Sequence, residues 1–234
     1  MSKKALFGSL LFLFGSASPL PSRGCHSTAE IFRKVEIPGT TVLQALFRFA
    51  AEHGVCLGIE LAGDEILRRR AEVDMEAASA LEVVRAVLEA AEYYEAVERD
   101  GLILIRDRRV RGFTLLDYRL EAFEVPRAPL QAVGNALRMS LIRLVRPEVT
   151  GFAGHYRPGG VAGIVGPFRE KDKTVRELLN LIVTASQGGV WMARGGEIDE
   201  GTLPRGPYWE IFPFGSAREP EPAVLLAAAE KLIQ

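Results

Sequence analysis

In the N-terminal half of the chain, apolar residues alternate between helical and strand spacing. Residues 40–53 carry apolar side chains at the intervals that bury one face of a helix. Thr40 or Thr41 is suited to cap the start of this helix and Gly54 to end it. The stretch VCLGIEL follows as a predicted strand, then DEILRRR as a short helical turn and AEVDME as a second strand.

A second helix and a hairpin complete this half. Ser79 and Glu82 have the spacing of a capping box, and apolar residues follow at helical intervals. The segment YYEAVERDGLILIRD then predicts a β-hairpin that turns at Asp100-Gly101, with Leu102 and Leu104 on the face opposite to Ile103 and Ile105. The predicted order is strand, helix, strand, strand, helix, strand, strand.

The same order returns in the C-terminal half. VEIP at residues 35–38 corresponds to FEVP at residues 123–126, and LQA at residues 43–45 corresponds to LQA at residues 130–132. A duplicated βαββαββ-like unit explains these matches, although short motifs also match by chance. We therefore predict a repeat and keep a chance likeness of two α/β segments as the alternative.

The second copy contains an insertion before its capped helix. The glycine-rich residues 151–168 predict turns between short strands, and Thr174 with Glu177 forms another capping box. VWMAR and PYWEIFPF then predict a closing hairpin, and residues 223–232 a short terminal helix.

The predicted fold class is α+β, with two tandem small βαββαββ-like units, each with two helices packed on its own small sheet. The predicted divisions are a signal peptide at 1–17, a leader at 18–33, a first domain at 34–110, a second related domain with the glycine-rich insertion at 111–218, and a tail with a short helix at 219–234.

The N-terminus has the pattern of a secretory signal. Lys3 and Lys4 precede the apolar run ALFGSLLFLFGSA, which is too short for a permanent bilayer span. We expect cleavage near Ala17 and a periplasmic or secreted protein without a stable transmembrane span in its mature chain. The alternatives are an uncleaved anchor or a lipoprotein modified at Cys25, although the residues before Cys25 lack the usual aliphatic position.

Composition and charge narrow the class of partner. A chain of 234 residues with 48% hydrophobic and 25% charged residues is typical of a folded globular protein. The net charge of −1 becomes −3 once the two leader lysines are removed, since 27 basic and 30 acidic residues then remain. This balance predicts no binding to nucleic acid.

The two cysteines allow two interpretations. An oxidising compartment would permit a disulfide between Cys25 and Cys56. The favoured interpretation places Cys56 on a strand as a small buried hydrophobe and leaves Cys25 in a flexible leader. His53 lies three residues before Cys56, but no second ligand pair has zinc spacing, so no metal site is predicted.

The motifs of common enzyme classes are absent from the sequence. The glycine-rich stretch lacks the lysine-serine pair of a phosphate loop, and no G-x-S-x-G nucleophile motif occurs. Carboxylate groups such as Asp64-Glu65 fall in polar turns, where charged residues are usually solvated. The prediction is therefore no enzyme, no catalytic residues and no cofactor.

Aromatic residues near the closing hairpin are the candidate partner-binding side chains. The candidates are Trp191, Tyr208 and Trp209, with Tyr156 in the insertion, because Trp and Tyr are enriched where proteins bind partners. Alternate residues of a hairpin also pack against helices, and core packing is the favoured interpretation for Trp191 or Trp209.

The first half resembles the secretin and TonB short N-terminal domain family. The resemblance rests on VEIPGTTVLQALFRFAAEHGVCLGIEL, AEVDMEAASALEVVRAVLEAA and YYEAVERDGLILIRD, about a third of the chain. It implies a periplasmic domain that docks other proteins, in secretion pores or in signalling from outer-membrane receptors. No barrel, plug or pore-forming pattern follows Asp107 in this sequence, so the resemblance implies a free-standing module here.

Two functions follow as hypotheses. The first is an exported, non-enzymatic adaptor that binds envelope, outer-membrane or secretion-machinery proteins, or a second copy of itself, through surface patches or a sheet edge. The second is a carbohydrate- or peptide-binding or hydrolytic module that uses the second domain. The second hypothesis expects titratable residues to converge in a pocket beside residues 151–166.

Overall fold

A computed structural model describes Cys25 and residues 28–149, 163–186, 188–205, 207–214 and 221–233. It contains helices and several sheets, so the α+β class is confirmed. The described strands are β1 (Ile31–Thr41), β2 (Leu57–Leu61), β3 (Arg70–Ser79), β4 (Tyr94–Arg99), β5 (Leu102–Asp107), β6 (Arg119–Val125), β7 (Ala128–Pro129), β8 (Ile164–Val165), β9 (Phe168–Thr174), β10 (Gly189–Arg194) and β11 (Trp209–Pro213). The described helices are α1 (Val42–His53), α2 (Glu65–Arg68), α3 (Ala80–Leu88), α4 (Leu130–Val145), α5 (Val175–Ala185) and α6 (Pro222–Ile233), with a 3₁₀ turn at Leu115–Asp117.

Local signals in the sequence determine where α1, α3 and α5 begin. Thr41 caps α1, and Ser79 and Thr174 cap α3 and α5 with the predicted capping boxes. The β4–β5 hairpin turns at Asp100 and Gly101, which have φ angles of 53° and 78°. Both angles are positive, as a type I′ turn requires, so the predicted hairpin is confirmed.

The central sheet joins the two halves of the chain. Its strand order is β11-β10-β2-β5-β4, and β2 pairs in parallel with both β10 and β5. The prediction that each half has its own small sheet is therefore wrong, and the boundary at residues 110 and 111 does not separate two sheets. The register places Gly58 of β2 opposite Trp191 of β10.

Each half packs two of its helices on one face of this sheet. Helices α1 and α3 pack on the face that carries Ile59 and Ile103, and α6 joins them there. Helices α4 and α5 cover the opposite face, which carries Leu104 and Trp191. Because both faces are covered, β2 is buried along its whole length.

The terminal helix lies in the core of the opposite half. The predicted helix in the tail is present as α6, but its Leu225, Ala229 and Leu232 are buried against the N-terminal helices and the sheet. The tail is therefore part of the fold and not an appendage.

A two-stranded antiparallel ribbon precedes the capped helix in each half. Strand β1 pairs with β3 before α3, and β6 pairs with β9 before α5. An antiparallel hairpin follows each of these helices. The halves therefore share an order of elements from ribbon to hairpin, while duplication itself stays a prediction.

Candidate functional site

A polar cleft lies between the two halves on the face of the sheet that α5 covers only in part. Its volume is about 420 Å³. The parallel strands β10, β2 and β5 end beside it, and ligands of open α/β sheets bind at such carboxyl ends. The charged lining residues of the cleft are five arginines and four carboxylates: Arg99, Arg106, Arg111, Arg119, Arg176, Glu60, Asp107, Asp117 and Glu177.

An ion triad forms the inner wall of the cleft. Glu60 lies on β2 and is only 4% exposed. The Arg176 guanidinium, in the first turn of α5, approaches it with Nε 2.5 Å from Oε1 and Nη2 3.2 Å from Oε2. Nη1 of the same guanidinium donates to Asp117 Oδ1 at 2.7 Å. Arg176 thus joins a strand of the first half to the 3₁₀ turn of the second.

The caps of the second half fix the triad in place. Thr114 donates to Asp117 Oδ2 from its backbone N–H at 2.8 Å and from its hydroxyl at 2.7 Å. Thr174 caps α5 and so sets the position of Arg176 two residues later. Capping hydrogen bonds thus position both Asp117 and Arg176.

Electrostatics keep Arg176 and Asp117 ionised. Burial alone would lower the pKa of Arg176, but its hydrogen bonds and ion pair with Glu60 outweigh that effect and raise the pKa above its usual range. Burial likewise favours a raised pKa for Asp117, yet hydrogen bonds from Arg176 and Thr114 lower it overall. A guanidinium that stays protonated between two carboxylates links the elements that carry them and does not transfer protons.

A second concave surface follows the edge of the central sheet. It lies between α3 and strand β4 and has a volume of about 540 Å³. We call this surface the edge groove; its lining includes Arg85, Leu88, Glu89, Glu92, Glu95 and Val97. Strand β4 forms one side of the groove and has no strand partner on its outer side among the described strands.

The predicted aromatic candidates do not form a docking patch. Trp191 is 0%, Trp209 2% and Tyr208 9% exposed, so the structure places all three in the core. Alternate residues of β10 and β11 face the helices of the second half, which explains the burial of Trp191 and Trp209, and Tyr208 directly precedes β11. Tyr156 lies outside the described residues.

Trp191 packs across the junction of the halves. A Cβ atom at Gly58 would lie 2.4 Å from Cζ2 of the Trp191 ring, so only glycine allows this contact. The indole Nε1 donates to Asn180 Oδ1 at 3.0 Å, and Asn180 Nδ2 donates to Asp100 Oδ2 at 3.2 Å. Strand β10, helix α5 and the β4–β5 turn are therefore linked through one buried side chain.

The two cysteines form a disulfide, which corrects the favoured interpretation of an unpaired Cys25. The bond joins residues 31 positions apart and fixes Cys25 beside the start of β2. Cys56 is also buried, as expected. Sequence spacing could not decide the pairing because the position of the leader depends on the tertiary fold.

Three predictions from the sequence concern a metal site, a membrane span and a ligand pocket. Among those residues, no cluster of three His, Cys, Asp or Glu side chains could hold a metal ion. None of the described helices is long and apolar enough to cross a bilayer. Most of residues 151–166, where a pocket would support the ligand-binding alternative, lies outside the described residues.

The triad was not predicted from the sequence. One available signal was Glu60, an acidic residue within the apolar run VCLGIEL, because a carboxylate on a buried strand needs a cationic partner. Nothing in the local sequence pointed to Arg176, which lies 116 residues away. Comparison of the chain with protein-family models, with curated proteins and with solved structures gives no significant match.

Proposed function

We propose that this chain is an exported, non-enzymatic protein-interaction module of the cell envelope, and that it binds an extended segment of a partner along strand β4. The unpaired outer side of β4 is the observation that supports this function most strongly. The resemblance of the first half to the secretin and TonB short N-terminal domains supports the same class of function.

The backbone of β4 offers hydrogen-bonding groups to such a segment. Arg108 N–H donates to the Tyr93 carbonyl, and this pairing places residues 95, 97 and 99 in the bonded positions facing β5. Ala96 and Glu98 therefore direct their N–H and C=O groups away from the sheet. No described residue forms a backbone hydrogen bond with these outward N–H and C=O groups, so an added strand can pair with them.

Charge along the edge groove indicates the chemistry of the partner. Glu89, Glu92 and Glu95 line it together with a single cation, Arg85. Leu88 and Val97 provide apolar surface between these charges. An extended segment that alternates basic and apolar side chains complements this lining, because alternate residues of a strand point to opposite sides.

The proposal predicts that Glu98→Pro weakens peptide binding about tenfold or more. Proline removes the outward N–H of residue 98, which β5 does not use, and edge strands tolerate proline at such positions. Peptides selected from a random display library against the whole protein should be rich in Lys and Arg, and their affinities can be measured by fluorescence anisotropy.

Glu98→Ala is the matched control, since it removes the same carboxylate and keeps the backbone N–H. Peptides should bind this variant within about threefold of the original protein, because an exposed charge at a binding rim contributes little. Selected peptides that bind Glu98→Pro as tightly as Glu98→Ala, or a library that yields no binders, would contradict strand addition at β4.

The disulfide supports export. Disulfides persist in oxidising compartments such as the periplasm and are rare in the cytosol. A lipid on the Cys25 sulfur would exclude this bond, so the disulfide favours an exported chain without that lipid over a lipoprotein. The intact mass of protein recovered from the envelope should match a chain that begins after Ala17 and lacks both thiol hydrogens. A reduced chain with its leader retained would contradict export.

A further inference from the structure

The guanidinium of Arg176 lies at the wall of the cleft, and only some of its N–H donors bind the carboxylates beside it. An arginine carries five N–H groups. Three of them are directed to the carboxylates of Glu60 and Asp117. The other two have no acceptor among the described residues. Two anchored carboxylates thus hold Arg176 in one orientation, which lowers the entropy cost of a further contact.

Further cations line the same cleft. The Arg111 guanidinium makes no ion pair with a described residue, and only its backbone N–H is engaged. Arg99 lies 3.8 Å from Asp100 in an ion pair that is about half exposed on both sides. Such a pair is weak in water, so Arg99 can exchange its partner at little cost. Arg111 and Arg99 are therefore exposed cations of the cleft, while Arg176, whose charge is paired with Glu60 and Asp117, offers its two remaining N–H groups.

One carboxylate is already bound by the backbone beside the cleft. The N–H groups of Arg111 and Gly112 donate to Glu197 Oε1 at 2.7 and 2.8 Å. These two bonds lower the pKa of Glu197. A Cβ atom at Gly112 would lie 2.9 Å from the Glu197 carboxylate carbon, so glycine permits the approach. The segment that lines the cleft therefore binds an oxyanion within the protein itself.

We propose that the cleft between the halves binds a small polar oxyanion, a di- or tricarboxylate or a phosphate-bearing molecule, through Arg176, Arg111 and Arg99. Arginine suits this ligand because its planar fork matches both carboxylate and phosphate oxygens. A volume of about 420 Å³ lies within the range of small-molecule sites. The site is separate from the edge groove and goes beyond the proposed protein-binding function.

Isothermal titration of the whole protein with succinate, citrate and inorganic phosphate tests the proposal. At least one of these anions should bind with one-to-one stoichiometry. The double variant Arg99→Ala/Arg111→Ala should weaken that binding about tenfold or more, since hydrogen bonds to charged groups are strong. Both side chains are exposed, so the variant should unfold at the same urea concentration as the original protein.

Arg33→Ala/Arg127→Ala is the matched control, because it removes two exposed arginines that do not line the cleft. It should bind the anion within about twofold of the original protein, although its net charge equals that of the first variant. Tighter binding of phosphate than of the carboxylates would identify phosphate as the recognised group, and the reverse order would identify a carboxylate. No saturable binding of any of the three anions, or equal loss in the two double variants, would overturn the proposal.

Discussion

Replacing Arg176 by Met is expected to lower the free energy of unfolding by about 3 to 5 kcal/mol. The substitution leaves the Glu60 carboxylate on a fully buried strand without its cation. A buried ion without a partner costs several kcal/mol, because the protein interior replaces little of its lost hydration. Urea unfolding near neutral pH, followed by tryptophan fluorescence, measures the change.

Arg119→Met is the matched control on the same cleft. Arg119 also pairs with an acid, Asp172, but the two side chains are 52% and 78% exposed. Solvent screens such a pair, so its loss should cost less than about 1 kcal/mol. Equal effects of the two substitutions would show that Glu60 is hydrated, in contradiction to its burial.

A double variant separates the effect of the buried charge on stability from the effect of altered side-chain packing. Combining Glu60→Met with Arg176→Met removes the buried charge together with its partner. Replacing a buried ion pair by apolar residues is often close to neutral, so the combination should be more stable than Arg176→Met alone. If the double variant is less stable than Arg176→Met, the unpaired Glu60 carboxylate is not the cause of the lower free energy of unfolding in Arg176→Met.

The second large effect is expected at Gly58, where an added methyl group meets the ring of Trp191. Gly58→Ala should lower the free energy of unfolding by about 3 kcal/mol, because the indole is fully buried and cannot move away. Gly196→Ala is the matched control. No described atom lies within 4 Å of the place that its methyl group would occupy, so it should change stability by less than about 0.5 kcal/mol.

A double-mutant cycle assigns the Gly58 effect to this contact. Trp191→Leu removes part of the ring, and the methyl group of Gly58→Ala can then occupy the vacated space. The cost of Gly58→Ala should therefore fall by at least about 1 kcal/mol in the Trp191→Leu background. Strictly additive costs would mean that Gly58 and Trp191 do not touch, in contradiction to the close approach of the Trp191 ring to Gly58.

Local structure could be predicted because its signals lie within a few residues of each other. The capping boxes at Ser79 and Thr174 and the turn at Asp100-Gly101 each depend on short spacings, and the structure confirms them. The opposite facing of Leu104 and Ile105 follows from strand alternation in the same way.

Long-range pairing could not be predicted from such signals. The pairing of β2 with β10 joins residues more than a hundred positions apart, and hydrophobic periodicity carries no information about which strands meet. One clue was present: CLGIEL and LILI are nearly continuous apolar runs, as expected for strands buried on both faces. A sheet with one exposed face would show alternation instead.

The candidate site could not be predicted from the sequence for the same reason. Glu60 and Arg176 come from different halves, and only the shared sheet brings them together. The aromatic candidates failed because composition alone does not distinguish a partner-binding Trp from one in the core. Trp191 lies on β10, which joins the halves through β2, and Trp209 lies on the neighbouring β11, and both side chains are buried.

The most direct test of the shared sheet is the nuclear Overhauser effect between the Hα protons of Gly58 and the ring protons of Trp191 in the folded protein. The register places these residues side by side on parallel strands, so strong cross-peaks are predicted. Their absence from a spectrum that shows the Gly58–Leu104 contacts of the β2–β5 pair would contradict a single sheet built by both halves.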